Sequence, residues 1–217
     1  MSLTVSNLQC TRGDRQLFSE LSFQLKAKQL LFLEGENGSG KTTLIRTLCA
    51  LFVADKGEVL WCNQPIQEQI ESYRESLFYL GHLNAIKGDL SVLENLRFNH
   101  AMSGQKCSDD DLLDALDKIG LYGYEDVPSR QLSQGQKRRV ALARLLLNKS
   151  PLWILDEPFV ALDVAAVELL QGIISAHIES GGMAVLTTHQ EVPLTQEKIQ
   201  HLNLDQYATQ NAEVSYV

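Results

Sequence analysis

Gly35-Glu36-Asn37-Gly38-Ser39-Gly40-Lys41-Thr42 decides how the rest of this 217-residue chain is read. The stretch fits the phosphate-loop pattern G-x-x-x-x-G-K-S/T at every fixed position, and its flanks agree with it. The apolar run Leu30-Leu31-Phe32-Leu33 leads in as a strand, and Thr43-Leu44-Ile45-Arg46-Thr47-Leu48 leads out as a helix. Glycines allow backbone angles closed to other residues, so successive N–H groups turn onto one anion. The positive end of the helix dipole points at the same place. Lys41 is set to reach the β and γ phosphates of a nucleoside triphosphate, and Thr42 to ligate Mg²⁺ through its hydroxyl.

The length suits one α/β domain spanning 1–217 with an inserted subdomain, and a 44% hydrophobic content makes the chain globular. Lys and Arg total 19 against 27 Asp and Glu, a net charge of −8, which works against nonspecific nucleic-acid binding. Apolar runs fall far short of the ~20 residues that cross a bilayer, and Met1-Ser2-Leu3-Thr4-Val5 lacks the features of a signal peptide. A cytosolic protein is expected. Cys10, Cys49, Cys62 and Cys107 form no C-x-x-C pair and have no histidine at metal-ligand spacing, so they read as buried free thiols.

Residues 3–10 and 21–25 alternate apolar and polar and read as half-exposed antiparallel strands, with a turn at Gly13-Asp14. A turn at residues 55–57 leads into a strand over 58–62, and 76–80 is a further strand. From about residue 88 to 150 the period becomes helical. Capping-box starts at Ser91 and Ser108 open helices to about 102 and 119, and a third runs from about 135 to 148. Strands return at 152–155 and 183–187 around a helix over 164–178. Continuous apolar strands alternating with helices predict a mostly parallel sheet covered on both faces, with an antiparallel β subdomain before it and a helical subdomain inserted. The last dozen residues are polar and expected to fray.

Leu152-Trp153-Ile154-Leu155-Asp156-Glu157 delivers two carboxylates at the carboxyl end of a strand, where ligands of open α/β sheets gather. Asp156 suits the Mg²⁺ shell, and Glu157 is placed to orient or deprotonate an attacking water. Leu132-Ser133-Gln134-Gly135-Gln136, continued by Lys137-Arg138-Arg139-Val140-Ala141-Leu142-Ala143-Arg144, closely resembles the signature motif and helix of ATP-binding cassette (ABC) proteins. Asp156-Glu157-Pro158 with Ala161-Leu162-Asp163 resembles that family's second acidic motif and D-loop, and Thr188-His189 its switch histidine. The order and spacing match over essentially the whole chain.

The resemblance implies a P-loop NTPase of the ABC ATPase fold that binds ATP and Mg²⁺. Ser133 and the amides at Gly135 and Gln136 stand at a helix start as a second anion site. The family works as a head-to-tail homodimer, each ATP lying between Lys41 of one copy and Ser133 of the other. Residues 35–43, from Gly35 to Thr43, would then cradle the phosphates. Glu157 and His189 would be catalytic, with Asp163 tying the two sites together.

Two departures stand out. Where the family usually stacks an aromatic ring on adenine, this chain has Thr11-Arg12-Gly13. The Arg12 guanidinium either stacks on the base or is an exposed surface residue. Where a glutamine usually touches Mg²⁺ and the transport partner, His82 stands within Tyr79-Leu80-Gly81-His82-Leu83-Asn84-Ala85-Ile86-Lys87. These departures, with Cys10-Thr11-Arg12, Leu17-Phe18 and Leu155-Asp156-Glu157-Pro158-Phe159, look like the ATPase subunits of bacterial cytochrome c maturation complexes. That likeness implies haem export or release of a haem-loaded periplasmic chaperone. It also implies membrane-spanning permease partners, membrane contact only through them, and a peripheral place on the cytoplasmic face of the inner membrane. An ABC transporter ATPase for a lipid, peptide or drug shares every ATP motif. A soluble ABC ATPase of chromosome maintenance fits less well, because the span from Thr42 to Leu132 is too short for a coiled coil. A non-hydrolysing scaffold is disfavoured by Glu157 and His189.

Overall fold

The computed structural model describes residues 1–104, 107–188 and 199–208. The strand before the phosphate loop, β3 (Leu30–Glu34), lies in a five-stranded sheet. Numbered along the chain, that sheet is ordered β6 (Leu77–Leu80), β7 (Leu152–Asp156), β8 (Met183–Thr187), β3, β9 (Ile199–Asn203), and every pairing is parallel. The central strands are apolar along their length because both faces are covered. Leu31 and Leu33 of β3 point into a core shared with α1 (Lys41–Leu48) and a second sheet. Leu30 and Phe32 point the other way, against α5 (Gln134–Leu147) and α6 (Val164–Glu179).

The second sheet is antiparallel, ordered β2 (Arg15–Lys26), β1 (Ser2–Arg12), β4 (Lys56–Trp61), β5 (Gln64–Pro65). Between β6 and β7, α3 (Val92–Met102), α4 (Asp109–Lys118) and α5 enclose a separate apolar cluster that includes Leu96, Leu116 and Val140. Ser91 and Ser108 each close a capping box, with Glu94 and Asp111, where such helix starts were expected. Helix α5 belongs to both units: Val140 and Ala143 face the helical cluster, while Ala141, Leu142 and Leu145 face the sheet. No helix among the described residues is long and apolar enough to cross a membrane.

Some elements differ from expectation. Strand β4 starts at Lys56, within the expected turn, and ends at Trp61. Cys62 and Asn63 then turn with positive φ, so the Cys62 thiol is exposed; Cys107 is half-buried, and only Cys10 and Cys49 are buried. Burial pushes the Cys49 thiol up to about 12, which keeps it protonated and inert. The short helix α2 (Ile70–Glu75) and the edge strand β9 carry too few apolar residues to stand out in the sequence.

Candidate functional site

The carboxyl ends of β3, β7, β8 and β6 lie along one edge of the parallel sheet, and the phosphate loop, the acid pair and the His82 stretch leave the sheet there. From β3 the chain enters the phosphate loop and then α1, whose N-cap is Gly40 at φ 106 with no side-chain cap. A Cβ on Gly40 would stand 3.1 Å from Leu17 and Phe18 of β2, so the loop closes down on that strand only because glycine is there. The first-turn amides of α1 have no intrahelical partner, and no acidic residue in that turn offsets the dipole. The Lys41 ammonium donates to the Gly35 and Glu36 carbonyls at 2.6 and 3.0 Å, which holds it over the loop. The Ser39 hydroxyl is buried without a hydrogen-bond partner. Open amides, an ammonium and an orphaned hydroxyl suit a phosphate. The Glu36 N–H donates to the Asp205 carboxylate, at 3.1 and 3.2 Å to its two oxygens.

At the end of β7, Thr187 is the organiser. It is fully buried, donates its hydroxyl to Asp156 Oδ1 at 2.7 Å and accepts the Glu157 N–H at 2.8 Å. Glu157 takes a left-handed backbone, φ 49, which costs a non-glycine residue on the order of 1–2 kcal/mol. That turn sends the two neighbouring carboxylates different ways. His82 Nδ1 lies 3.5 Å from Glu157 Oε2, the imidazole largely exposed and the carboxylate mostly buried. Arg138 of α5 donates to the Glu157 carbonyl at 2.7 Å and the Pro158 carbonyl at 3.3 Å. Among the described residues no cluster of three or more His, Cys, Asp or Glu side chains could hold a metal. One carboxylate, Asp156, and one exposed hydroxyl, Thr42 on α1, could hold only a cation that takes its remaining ligands from phosphates and water.

The signature stretch forms the start of α5. Ser133 is its N-cap in a capping box: its Oγ accepts the Gln136 N–H at 3.1 Å, and Gln136 Oε1 accepts the Ser133 N–H at 2.9 Å. A cavity of about 650 Å³ opens beside it, lined by Ser133, Gly135, Gln136, Arg139, Ala161 and Asp163 among others, none of them from the phosphate loop. Asp163 caps α6 through the Ala166 N–H and takes both oxygens to Arg139, at 2.7 and 2.9 Å. The Ala166 amide first, then Arg139, holds its carboxyl below the usual range. The structure thus gathers Lys41, Thr42, Asp156, Glu157 and His82 along one sheet edge, and sets Ser133, Gly135, Gln136 and Asp163 around another cavity. Arg12 is exposed at the end of β1, opposite Arg15 across the hairpin. His189 lies outside the described residues. No motif in the sequence assigns a role to Thr187, Asp205, Arg138 or Arg139. A polar residue ending an otherwise apolar strand was the available signal for Thr187.

A parallel sheet with a glycine cradle, a strand-end acid pair and a second helix-start cradle defines a P-loop ATPase of the cassette type. The ABC transporter sequence profile matches residues 18–160, and this chain belongs to the ABC transporter family. Among curated proteins it is similar to the cytochrome c biogenesis ATP-binding export protein CcmA of Dechloromonas aromatica, 53% identical over 93% of this chain and 99% of that one. The protein of the same name from Nitrosomonas europaea is 51% identical over 93% of this chain and 95% of its own length. The fold also matches a dimeric ATP-binding cassette in a post-hydrolysis state bound to ADP and Pi. The TM-score is 0.79, at 23% identity over 93% of this chain and 94% of that one.

Proposed function

We propose that this chain is the ATP-hydrolysing subunit of a membrane ABC complex of cytochrome c biogenesis, working as a pair of copies that enclose two ATP molecules. One observation carries the reading: the chain holds two anion cradles, and the cavity of the second takes none of its lining from the first. A head-to-tail pair would close both, each ATP held by residues 35–43 of one copy and by Ser133, Gly135 and Gln136 of the other. The similar ATP-binding cassette bound to ADP and Pi is dimeric, which supports a working pair of copies. The chain acts as one nucleotide-binding domain over 1–217, with its helical insertion at about 88–150.

Thr42 and Asp156 would hold Mg²⁺, which supplies charge neutralisation at the phosphates. Glu157, its backbone held in place, orients the attacking water and takes its proton. His189 contacts the terminal phosphate, and Asp163, anchored by Arg139, ties one site to the other. Arg12 stacks on adenine. His82 faces Glu157, which supports a coupling role beside the metal contact expected of it. Hydrolysis leaves two anions side by side, and their repulsion reopens the pair.

The relatives' names point to export in cytochrome c biogenesis. The work done is therefore haem export or release of a haem-loaded periplasmic chaperone. Permease subunits would dock around residues 82–89, placing the chain peripherally on the cytoplasmic face of the inner membrane. In the decisive experiment, the gene is deleted and haem attachment is followed. Covalent haem on c-type cytochromes should vanish while b-type haem proteins persist, and intact c-type cytochromes would refute the assignment.

A further inference from the structure

Arg138 is 4% exposed on α5, the helix that starts at the second cradle. Its N–H groups go to three acceptors on two other segments. Nη2 donates to the Glu157 carbonyl at 2.7 Å, Nε to the Pro158 carbonyl at 3.3 Å, and Nη1 to Asn84 Oδ1 at 3.1 Å. Thr187 already holds the Glu157 N–H from the β8 side. The left-handed residue bearing the strand-end carboxylate is therefore gripped at its amide by β8 and at its carbonyl by α5. Asn84 lies two residues beyond His82, whose imidazole faces that same carboxylate. One guanidinium thus joins the signature helix, the loop after β6 and the peptide of Glu157.

Only arginine offers this set of donors in one rigid plane; a lysine ammonium reaches fewer acceptors and holds them less directionally. Burial pushes the guanidinium pKa down, and the charges of Asp156 and then Glu157 push it back up, which makes the site tolerable for a cation. Two backbone carbonyls and one side-chain amide accept its N–H groups, so it holds Glu157 through the backbone.

We propose that Arg138 is a positioning residue for hydrolysis: it fixes the peptide of Glu157, and through Asn84 and α5 it transmits movement of the loop after β6 and of the second cradle to that carboxylate. The proposal rests on reading Glu157 as the hydrolytic base. A residue that acts by orientation changes turnover and leaves ground-state binding alone.

The test compares Arg138→Gln, Arg138→Lys, Glu157→Gln and the double variant Arg138→Gln/Glu157→Gln in the full chain. ATP affinity is read by titration calorimetry, and hydrolysis by single turnover at saturating ATP. Affinity should stay within about twofold while hydrolysis falls about 30-fold in Arg138→Gln and about tenfold in Arg138→Lys. Adding Arg138→Gln to Glu157→Gln should cause no further loss, because the two act through one group. Asn84→Ala, which leaves the carbonyl bonds in place, should slow hydrolysis a few-fold at unchanged affinity; it decides the matter if the arginine variants melt below the assay temperature. Parental turnover in Arg138→Lys, a loss of affinity as large as the loss of turnover, full multiplication with Glu157→Gln, or parental turnover in Asn84→Ala would each overturn the proposal. Parental hydrolysis by Glu157→Gln would instead refute the base assignment on which it rests.

Discussion

Two helix starts in this molecule offer their amides under opposite conditions. At α1 the N-cap is a glycine with no side chain to offer, so the first-turn amides stay open and Lys41 hangs over them. At α5 the N-cap is Ser133, whose hydroxyl and amide are both already engaged by Gln136. An anion at α1 meets unspent donors. One at α5 must compete with a closed capping box and finds only the amides of Gln134 and Gly135 outside it. In the proposed pair the first cradle would bind nucleotide on its own, whereas the second would engage only a phosphate that the first already holds. That difference would make the second site a sensor of the first in such a pair.

Lys41→Ala should show the largest effect. Removing an ammonium that makes charge-assisted bonds, each worth about 1.5–3 kcal/mol, should weaken ATP by about 100-fold or more in calorimetric titration. Undiminished affinity would mean the first cradle is not the primary site, and the contrast would fall with it. Gly35→Ala tests the same cradle through its backbone. The residue sits at φ 141, and a Cβ there would stand 2.7 Å from Ser39 Oγ, so the loop must distort. An affinity loss of about tenfold is expected, since the amides would no longer converge.

The matching changes at the second cradle should spare binding and lose turnover. A Cβ on Gly135 meets the Ala161 carbonyl at 3.6 Å and Ser133 Oγ at 4.0 Å, both ordinary contacts, so Gly135→Ala should fold and bind ATP normally. It fills the entrance a second copy's phosphate would use, and hydrolysis should fall about tenfold. Ser133→Ala removes the cap as well, costing about 1 kcal/mol of stability and lowering Tm by a few degrees in a melt. In a Glu157→Gln background it should also abolish the ATP-dependent dimer in sedimentation. Weakened nucleotide binding by isolated copies of either variant would show that the two cradles act together within one chain.

The first cradle was legible because its donors are local: strand, glycines and helix run in sequence, and apolar strands buried on both faces announce themselves. The second cradle was legible as a motif, but its closed state depends on Gln136 folding back on Ser133, which the motif alone does not show. What escaped the sequence are contacts across long separations, such as Thr187 to Glu157 over 30 residues and Asp205 to Glu36 over 169. Strand β9 escaped for a related reason. It brings Asp205 to the loop, yet as a mostly half-exposed edge strand it needs few apolar residues of its own. The apolar run places Cys62 as the last, buried residue of a strand over 58–62, but the left-handed turn at Cys62-Asn63 ends the strand one residue earlier.

Asp205 offers the finest test of the contrast. Its carboxylate receives the Glu36 N–H at the mouth of the first cradle, where it also adds negative charge near an incoming triphosphate. Asp205→Asn keeps one oxygen for the N–H and removes the charge. If the glycines and Lys41 preform the cradle, ATP should bind about two- to threefold tighter, and added salt should erase the gain by screening. A several-fold loss of affinity, insensitive to salt, would instead mean that the loop keeps its shape only while both carboxylate oxygens hold Glu36. The first cradle would then depend on a contact from the end of the parallel sheet, just as the second depends on Gln136, and the two helix starts would differ only in how far away their support lies.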